Sequence, residues 1–194
     1  MPRITRASLM TLEQYAKVRP DFRANVMVHK KNRRVHLGDH ITLQFEDEMT
    51  MRYQVQEMLR AERIFEEEGI EDELDAYNPL IPDGSNWKAT MLIEYPDVAQ
   101  REQALSELIG VEDRVWVQVE GCPQVFAIAD EDLERENESK TSSVHFLRFE
   151  LTEAMKRALR GGAGLSVGAD HPRYNCRVAV EPAVRESLLK DLSV

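Results

Sequence analysis

The spacing of apolar residues changes between a helical period and a period of two along the chain. Residues 11–14 form a capping box, which predicts a helix from near Leu12 that falters before Pro20. A second helical stretch is predicted from 21 to about 31. Apolar and polar positions then alternate over 35–45, and this pattern predicts a β-hairpin. The first quarter of the chain is therefore expected to be two helical segments followed by two paired strands.

The sequence pattern in the middle of the chain predicts one long helix followed by a buried strand. Thr50 can cap the helix and Gly69 can end it. After a loop rich in proline and glycine, residues 87–95 (WKATMLIEY) are apolar enough for a strand that is buried on both faces. Another helix is expected from Asp97, whose side chain can cap it, to Gly110.

The last 80 residues mix strands and short helices. Two segments, RVWVQV and QVFAIA, flank a turn and predict a second hairpin, and residues 144–151 (VHFLRFEL) form a strong strand pattern. Helices are expected from Thr152 to Arg160 and from Pro182 onward. Together these patterns predict an α+β fold, in which five or six helices pack on a mostly antiparallel sheet of about eight short strands.

The charge is distributed unevenly over the 194 residues. Net charge is −10, yet residues 1–34 hold nine Lys or Arg and only two acids, a net charge of +7. We therefore expect a single domain, 1–194, in which a basic N-terminal helical segment of about residues 1–34 packs on an acidic body. The negative field of the whole chain argues against binding of nucleic acid.

Several classes of protein are disfavoured by the composition. We find no apolar run long enough to span a membrane and no apolar core of a signal peptide in the first 30 residues. Cys122 and Cys176 lie far apart and form no zinc-ribbon pattern, so free thiols in a reducing cytoplasm are expected. These features indicate a soluble cytoplasmic protein.

Several long strings are specific enough to indicate a family. The strings HKKNRRVHLG, YQVQEMLRAERIFEEEGIEDELDAYNPLIPDGSNWKATMLIEYPD and KTSSVHFLRFEL resemble the bacterial family known as domain of unknown function 3501, and the resemblance extends over essentially the whole chain. It implies one domain of this length but assigns no reaction and no catalytic residues. The resemblance also implies genes for rubrerythrin-like proteins and iron–sulfur oxidoreductases nearby, and hence a link to redox physiology.

One carboxylate occupies an unexpected position in the predicted long helix. On a helical wheel with about 100° per residue, Glu62 falls in the centre of the apolar stripe. The stripe consists of Met51, Val55, Met58, Leu59 and Phe65, whereas Gln56 falls on the solvent side. A buried carboxylate must be paired, protonated or bound to metal. We therefore expect Glu62 to contact a basic or imidazole side chain of residues 144–151, either Arg148 or His145.

Two interpretations of Glu62 remain open from the sequence. One is a structural ion pair with no further function. The other is a site for iron, zinc or manganese built from His145, His171, Glu62 and Glu94, because two imidazoles and a carboxylate suit these metals. His171 lies in a turn that could hold its ring, and Glu94 ends a predicted strand.

These interpretations lead to two functional hypotheses, because the sequence has no motif that identifies a reaction. The first is a non-catalytic accessory or interaction protein with an iron–sulfur or rubrerythrin-like redox partner. The alternative is a metal-dependent redox enzyme or metal carrier that holds a divalent cation.

Overall fold

The computed structural model describes residues 3–137 and 139–193. Over these residues it contains six α-helices and nine strands, and every strand pair is antiparallel. The α+β prediction is confirmed, and the strands are divided between two sheets. The helices are α1 Leu12–Lys31, α2 Glu48–Ala61, α3 Glu67–Tyr77, α4 Val98–Glu107, α5 Glu153–Arg160 and α6 Pro182–Leu189. The strands are β1 Arg34–Leu37, β2 Ile41–Glu46, β3 Asn86–Ile93, β4 Val115–Val119, β5 Gln124–Phe126, β6 Ile128–Ala129, β7 Val144–Glu150, β8 Leu165–His171 and β9 Tyr174–Ala179.

The two sheets, called sheet A and sheet B here, share one hydrophobic core. Sheet A has the order β1-β2-β3-β7-β6 and sheet B the order β5-β4-β8-β9. Only Ala127 separates β5 from β6, so the chain passes directly from one sheet to the other. At the opposite edge, the Tyr174 hydroxyl of β9 donates a hydrogen bond to the carbonyl of Leu37 in β1. The core includes Leu43, Phe45, Trp87, Val117, Phe149 and Val167, all of them almost fully buried.

The other face of sheet A is covered by helices α1 to α3. Alternation along a strand sends Phe45 of β2 into the shared core and its neighbours Gln44 and Glu46 toward the helices, and all three are buried. The helix layer has its own apolar cluster, which consists of Ile4, Leu9, Met51, Val55, Leu59, Ile70, Leu74 and Ile81. Within the described part of the chain, none of the helices is both long and apolar enough to cross a bilayer.

The expected break before Pro20 is wrong, because α1 continues through this residue. Tyr15 and Val26, on either side of the proline, are fully buried. The ring of Phe22 contacts Tyr15 and also Tyr53 of α2, with centroids 6.1 Å apart in both pairs. Packing on α2 on both sides of Pro20 offsets the one backbone hydrogen bond that a proline removes from a helix.

The prediction of a single helix to Gly69 is wrong, and so is the wheel built on it. The helix α2 ends at Ala61, Arg63 has a positive φ of 56°, and α3 begins at Glu67. Phe65, assigned to the core, is 70% exposed. Gln56, assigned to solvent, is fully buried because its side-chain oxygen accepts a hydrogen bond from the N–H of Met10 at 2.7 Å. The N-terminal segment packs on a face of α2 that the wheel had placed in water.

Candidate functional site

His145 is a fully buried histidine on the core face of β7. Its Nδ1 lies 2.6 Å from Oδ2 of Asp130, and its Nε2 lies 3.0 Å from the carbonyl oxygen of Ser142. The hydroxyl of Thr141 is also 3.0 Å from Nε2. The ring is therefore held on both sides by short polar contacts inside the fold.

Asp130 is fixed beside this ring by the backbone of β7. It follows β6 directly and has a positive φ of 48°, which is uncommon for a residue other than glycine. Its N–H donates to the carbonyl of Phe146 at 2.8 Å, and its Oδ1 accepts from the N–H of Phe146 at 2.9 Å. Arg135 also donates to Oδ1, at 3.1 Å. These bonds leave Oδ2 directed at the imidazole.

Glu112 completes the cluster from the turn between α4 and β4. Only 4% of the residue is exposed, and its Oε1 lies 3.8 Å from Nδ1 of His145. Burial raises the pKa of Glu112, and the neighbouring carboxylate of Glu136 raises it further, whereas His145 opposes the change. Glu136 itself accepts a hydrogen bond from the N–H of Gly110 at 2.9 Å. The carboxyl groups of Asp130 and Glu112 therefore lie on the same side of the His145 ring, near Nδ1.

The contacts of the ring define where its protons can lie. A backbone carbonyl can only accept, so the Ser142 oxygen requires a hydrogen on Nε2. The 2.6 Å contact between Nδ1 and Asp130 then requires a second proton, either on the ring or on the carboxyl group. With Nε2–H held by a carbonyl, Nδ1 has the orientation that a metal-binding histidine adopts.

His145, Asp130 and Glu112, called the His145 cluster here, meet the spatial requirement for a metal site. One ligand atom from each residue lies within 4.8 Å of the other two. Two ligands of one tetrahedral ion with bonds of about 2.1 Å are about 3.4 Å apart. The two measured separations from Nδ1, 2.6 and 3.8 Å, lie on either side of that value. Small side-chain adjustments would bring the three atoms onto one cation.

The structure does not bring the four sequence-predicted ligands together. Glu62 is the exposed C-terminal cap of α2, so the expectation that it is buried against residues 144–151 is wrong. Arg148, its expected partner, instead pairs with Glu131 and Glu150. Glu94 is exposed, and its Oε2 accepts from the hydroxyl of Thr42 at 2.7 Å.

His171 is buried, but both of its ring nitrogens are engaged by the backbone. The N–H of Arg173 donates to Nδ1 at 3.2 Å, so Nε2 carries the hydrogen and donates to the carbonyl of Ile109 at 3.1 Å. This arrangement leaves no lone pair for a cation. Through Ile109, however, His171 anchors the segment that leads to Glu112. It therefore supports the position of the cluster without being part of it.

Sequence reasoning missed Asp130 and Glu112 for an identifiable reason. Asp130 begins the acidic and polar segment 130–143, whose composition favours a solvated loop, and Glu112 lies in a short polar segment before a strand. A usable signal was their position, since Glu112 comes just before the RVWV strand and Asp130 just after QVFAIA. Acids at adjacent ends of two paired segments can meet in space.

Comparisons with known proteins identify relatives without an assigned activity. The family model described as "Protein of unknown function (DUF3501)" matches residues 3–192. A solved structure, described as a novel protein of unknown function from Burkholderia pseudomallei, is 56% identical and has a TM-score of 0.95. The match covers 99% of this chain and 100% of that one. No curated protein matches.

Proposed function

Because the chain belongs to the DUF3501 family of proteins of unknown function, we propose a role from its geometry: it binds one divalent metal ion at the His145 cluster. The ligands are Nδ1 of His145 and one carboxylate oxygen each from Asp130 and Glu112. The observation that carries the proposal is the convergence of two buried side chains, His145 and Glu112, with the partly buried Asp130, with ligand atoms within 4.8 Å of one another.

The electrostatics of the His145 cluster favour a cation. Buried carboxylates are costly unless they are paired, hydrogen-bonded or bound to metal. Without a metal, the short contact between Nδ1 and Asp130 holds a proton, so metal binding exchanges this proton for a doubly charged ion. Arg135 and the N–H of Phe146 orient the Asp130 carboxylate, as the neighbours of metal ligands commonly do.

The donor set indicates which metals to test. One imidazole nitrogen and two carboxylate oxygens suit zinc, iron(II) and manganese. The sequence predicts the same metals, but with Glu62, Glu94 and His171 as the other ligands of the ion at His145. Metal carriage and metal-dependent redox chemistry are both compatible with this donor set.

The test is metal content after anaerobic purification, followed by titration of the metal-free protein with zinc, iron(II) and manganese. We expect one ion per chain for at least one of these metals. His145→Ala and Asp130→Asn should lower the affinity at least tenfold, because each removes a ligand or its charge. His36→Ala is the matched control, since His36 is exposed and bonds only the hydroxyl of Thr42 among the described residues.

Two results would contradict the metal proposal. One is a failure of all three metals to bind stoichiometrically to the folded wild-type protein. The other is unchanged binding in a folded His145→Ala protein. Either result favours the second hypothesis, an interaction protein with a redox partner. The exposure of Phe65 beside an apolar groove that includes Leu12, Leu59 and Ile70 supports an interaction surface and leaves the kind of partner open.

A further inference from the structure

A second site lies on the opposite face of sheet A from the His145 cluster. A cavity of about 260 Å³ lies between this sheet face and the helix layer. Glu46 of β2 and Thr90 of β3 contribute polar groups, whereas Leu92 of β3 and Phe146 of β7 contribute apolar surface. None of the three residues of the His145 cluster lines this cavity, although Phe146, whose N–H bonds Asp130, does.

Glu46 is a buried carboxylate with one unused oxygen. The residue is 4% exposed, and its Oε1 accepts a hydrogen bond from the Thr90 hydroxyl at 2.8 Å. Its Oε2 is buried and has no hydrogen-bond partner among residues 3–137 and 139–193. The backbone of Glu46 is fixed, because the guanidinium of Arg33 donates to its carbonyl at 3.0 Å. Buried polar atoms without a partner are rare in folded proteins, and here the unused oxygen belongs to a side chain that lines a cavity.

Two cationic side chains lie at the same cavity. Lys30, from the last turn of α1, is half-buried, and Arg34, at the start of β1, is exposed. The Nε of Arg34 donates to the side-chain oxygen of Gln44 at 3.3 Å, which holds the guanidinium over β2. The cavity therefore combines one buried acceptor with two positive charges nearer to solvent.

From this arrangement we propose that the cavity binds a free α-amino acid with an apolar side chain. The ligand ammonium pairs with the Glu46 carboxylate, and the ligand carboxylate interacts with Lys30 and Arg34. A zwitterion satisfies both kinds of charge, whereas a simple anion or a simple cation satisfies only one.

The size and walls of the cavity restrict the ligand further. Sites for drug-sized molecules are about 300–1,000 Å³, and the observed 260 Å³ is smaller. Met51 and Leu80 of the helix layer line this space together with Leu92 and Phe146 of the sheet, and Gln54 and Tyr77 add polar groups. Apolar surroundings of this kind suit an aliphatic, thioether or aromatic side chain.

The binding test is calorimetric titration of the full chain with L-leucine, L-methionine and L-phenylalanine. We expect saturable binding of at least one, with a Kd below about 1 mM. N-acetyl-L-leucine, which lacks the ammonium, should bind at least tenfold more weakly than leucine. Leucinamide has the ammonium but lacks the carboxylate. Its affinity, compared with that of leucine, therefore measures the contribution of Lys30 and Arg34, which interact with the ligand carboxylate.

Matched variants locate the ligand in the cavity. Glu46→Gln should weaken amino-acid binding about tenfold or more, because it removes the charge that faces the ammonium. Glu94→Gln is its control, since Glu94 lies at the end of β3, outside this cavity. Lys30→Ala should weaken binding of leucine but leave that of leucinamide unchanged, and Lys31→Ala, on the exposed neighbour, should change neither.

Three outcomes would overturn the proposal. The first is no saturable binding of any of the three amino acids. The second is equal affinity for leucine and N-acetyl-leucine. The third is unchanged affinity in Glu46→Gln, with folding verified by circular dichroism. If Glu46→Gln does not fold, an unchanged affinity for leucine in Lys30→Ala would equally overturn the proposal.

Discussion

Gly168 of β8 occupies a position with no room for a side chain. A Cβ at this residue would lie 2.3 Å from a ring carbon of Trp116 and 2.5 Å from the carbonyl oxygen of Cys176. Trp116 and Cys176 belong to β4 and β9, the two strands that flank β8. Trp116 and the backbone of Cys176 therefore approach β8 this closely because residue 168 has no side chain.

We predict that Gly168→Ala lowers the free energy of unfolding by about 1–3 kcal/mol, because the backbone or the Trp116 ring must move. Urea denaturation measures this change. Gly69→Ala is the comparison, since there the methyl group would meet only a side-chain carbon of Ile64, at 2.8 Å. A helical alanine also gains up to about 1 kcal/mol over glycine. If Gly168→Ala and the wild type unfold at the same urea concentration, the prediction is contradicted.

Single residues also show what the sequence could and could not predict about the site. His145 could be predicted, because alternation along β7 places it among apolar residues. The positions of Asp130 and Glu112 indicate that they can lie near each other, but not that they meet His145, because that contact depends on how the 130–143 segment returns to β7. The error at Glu62 has a different cause: a wheel assumes that the helix continues, and α2 ends one residue earlier.

At the scale of elements, a three-residue clamp joins α1 to α2. The Glu57 carboxylate accepts hydrogen bonds from Nε and Nη2 of Arg19, at 2.7 and 2.8 Å, and from the Tyr15 hydroxyl at 2.7 Å. Hydrogen bonding to Arg19 lowers the pKa of Glu57 to about 2, against the opposing effect of burial. The clamp lies on the N-terminal side of Pro20, where it holds the first half of α1 on α2.

This clamp predicts a defined pH dependence of stability. Because the pKa of Glu57 is lower in the folded state than its ordinary value of 4.5, the stabilisation is complete above pH 4.5 and is lost as the pH falls toward about 2. We expect Glu57→Gln to lower the unfolding free energy by about 1–3 kcal/mol at neutral pH.

The measurement is chemical denaturation of both proteins from neutral pH to the acid limit. The difference between wild type and Glu57→Gln should shrink as the pH falls below 4.5. Glu48→Gln, which removes a helical ion pair with Arg52, should change stability by less than about 0.5 kcal/mol. A constant difference between wild type and Glu57→Gln at all pH values would show that the clamp does not titrate.

Element types were predictable from local periodicity, but some element boundaries were not. Proline usually interrupts a helix, and tertiary contacts such as those of Tyr15 and Phe22 accompany the continuation of α1 through Pro20. The segment QVFAIA has the pattern of one strand, yet Ala127 divides it between two sheets. Alternation predicts a strand without identifying the neighbour to which it bonds.

At the scale of the whole molecule, Arg33 connects the N-terminal helices to the C-terminal one. Its side chain is 1% exposed and donates to the carbonyls of Phe45 and Glu46, at 3.1 and 3.0 Å. It also pairs with Asp191, just after α6. Burial raises the pKa of Asp191 to about 6, and the charge of Arg33 opposes this rise.

We predict that Arg33→Ala lowers the free energy of unfolding by about 3–5 kcal/mol, because it leaves a buried carboxylate and two backbone carbonyls without their donor. Thermal and urea unfolding both measure the effect. Arg34→Ala, a substitution at the exposed neighbour, is the control and should change stability by less than about 0.5 kcal/mol. Equal stability of the two variants would contradict this role of Arg33.

The order of strands in sheet A has a consequence for synthesis on the ribosome. β3 pairs with β7, and their register joins Asn86 to Glu150, 64 positions later in the chain. Until residues 144–150 have emerged, the edge of β3 that faces β7 has no partner for its backbone hydrogen bonds. Loops of this size close slowly compared with helix formation. We therefore expect a nascent chain that has reached residue 130 to leave this edge of β3 open to pairing with other strands until β7 pairs with it.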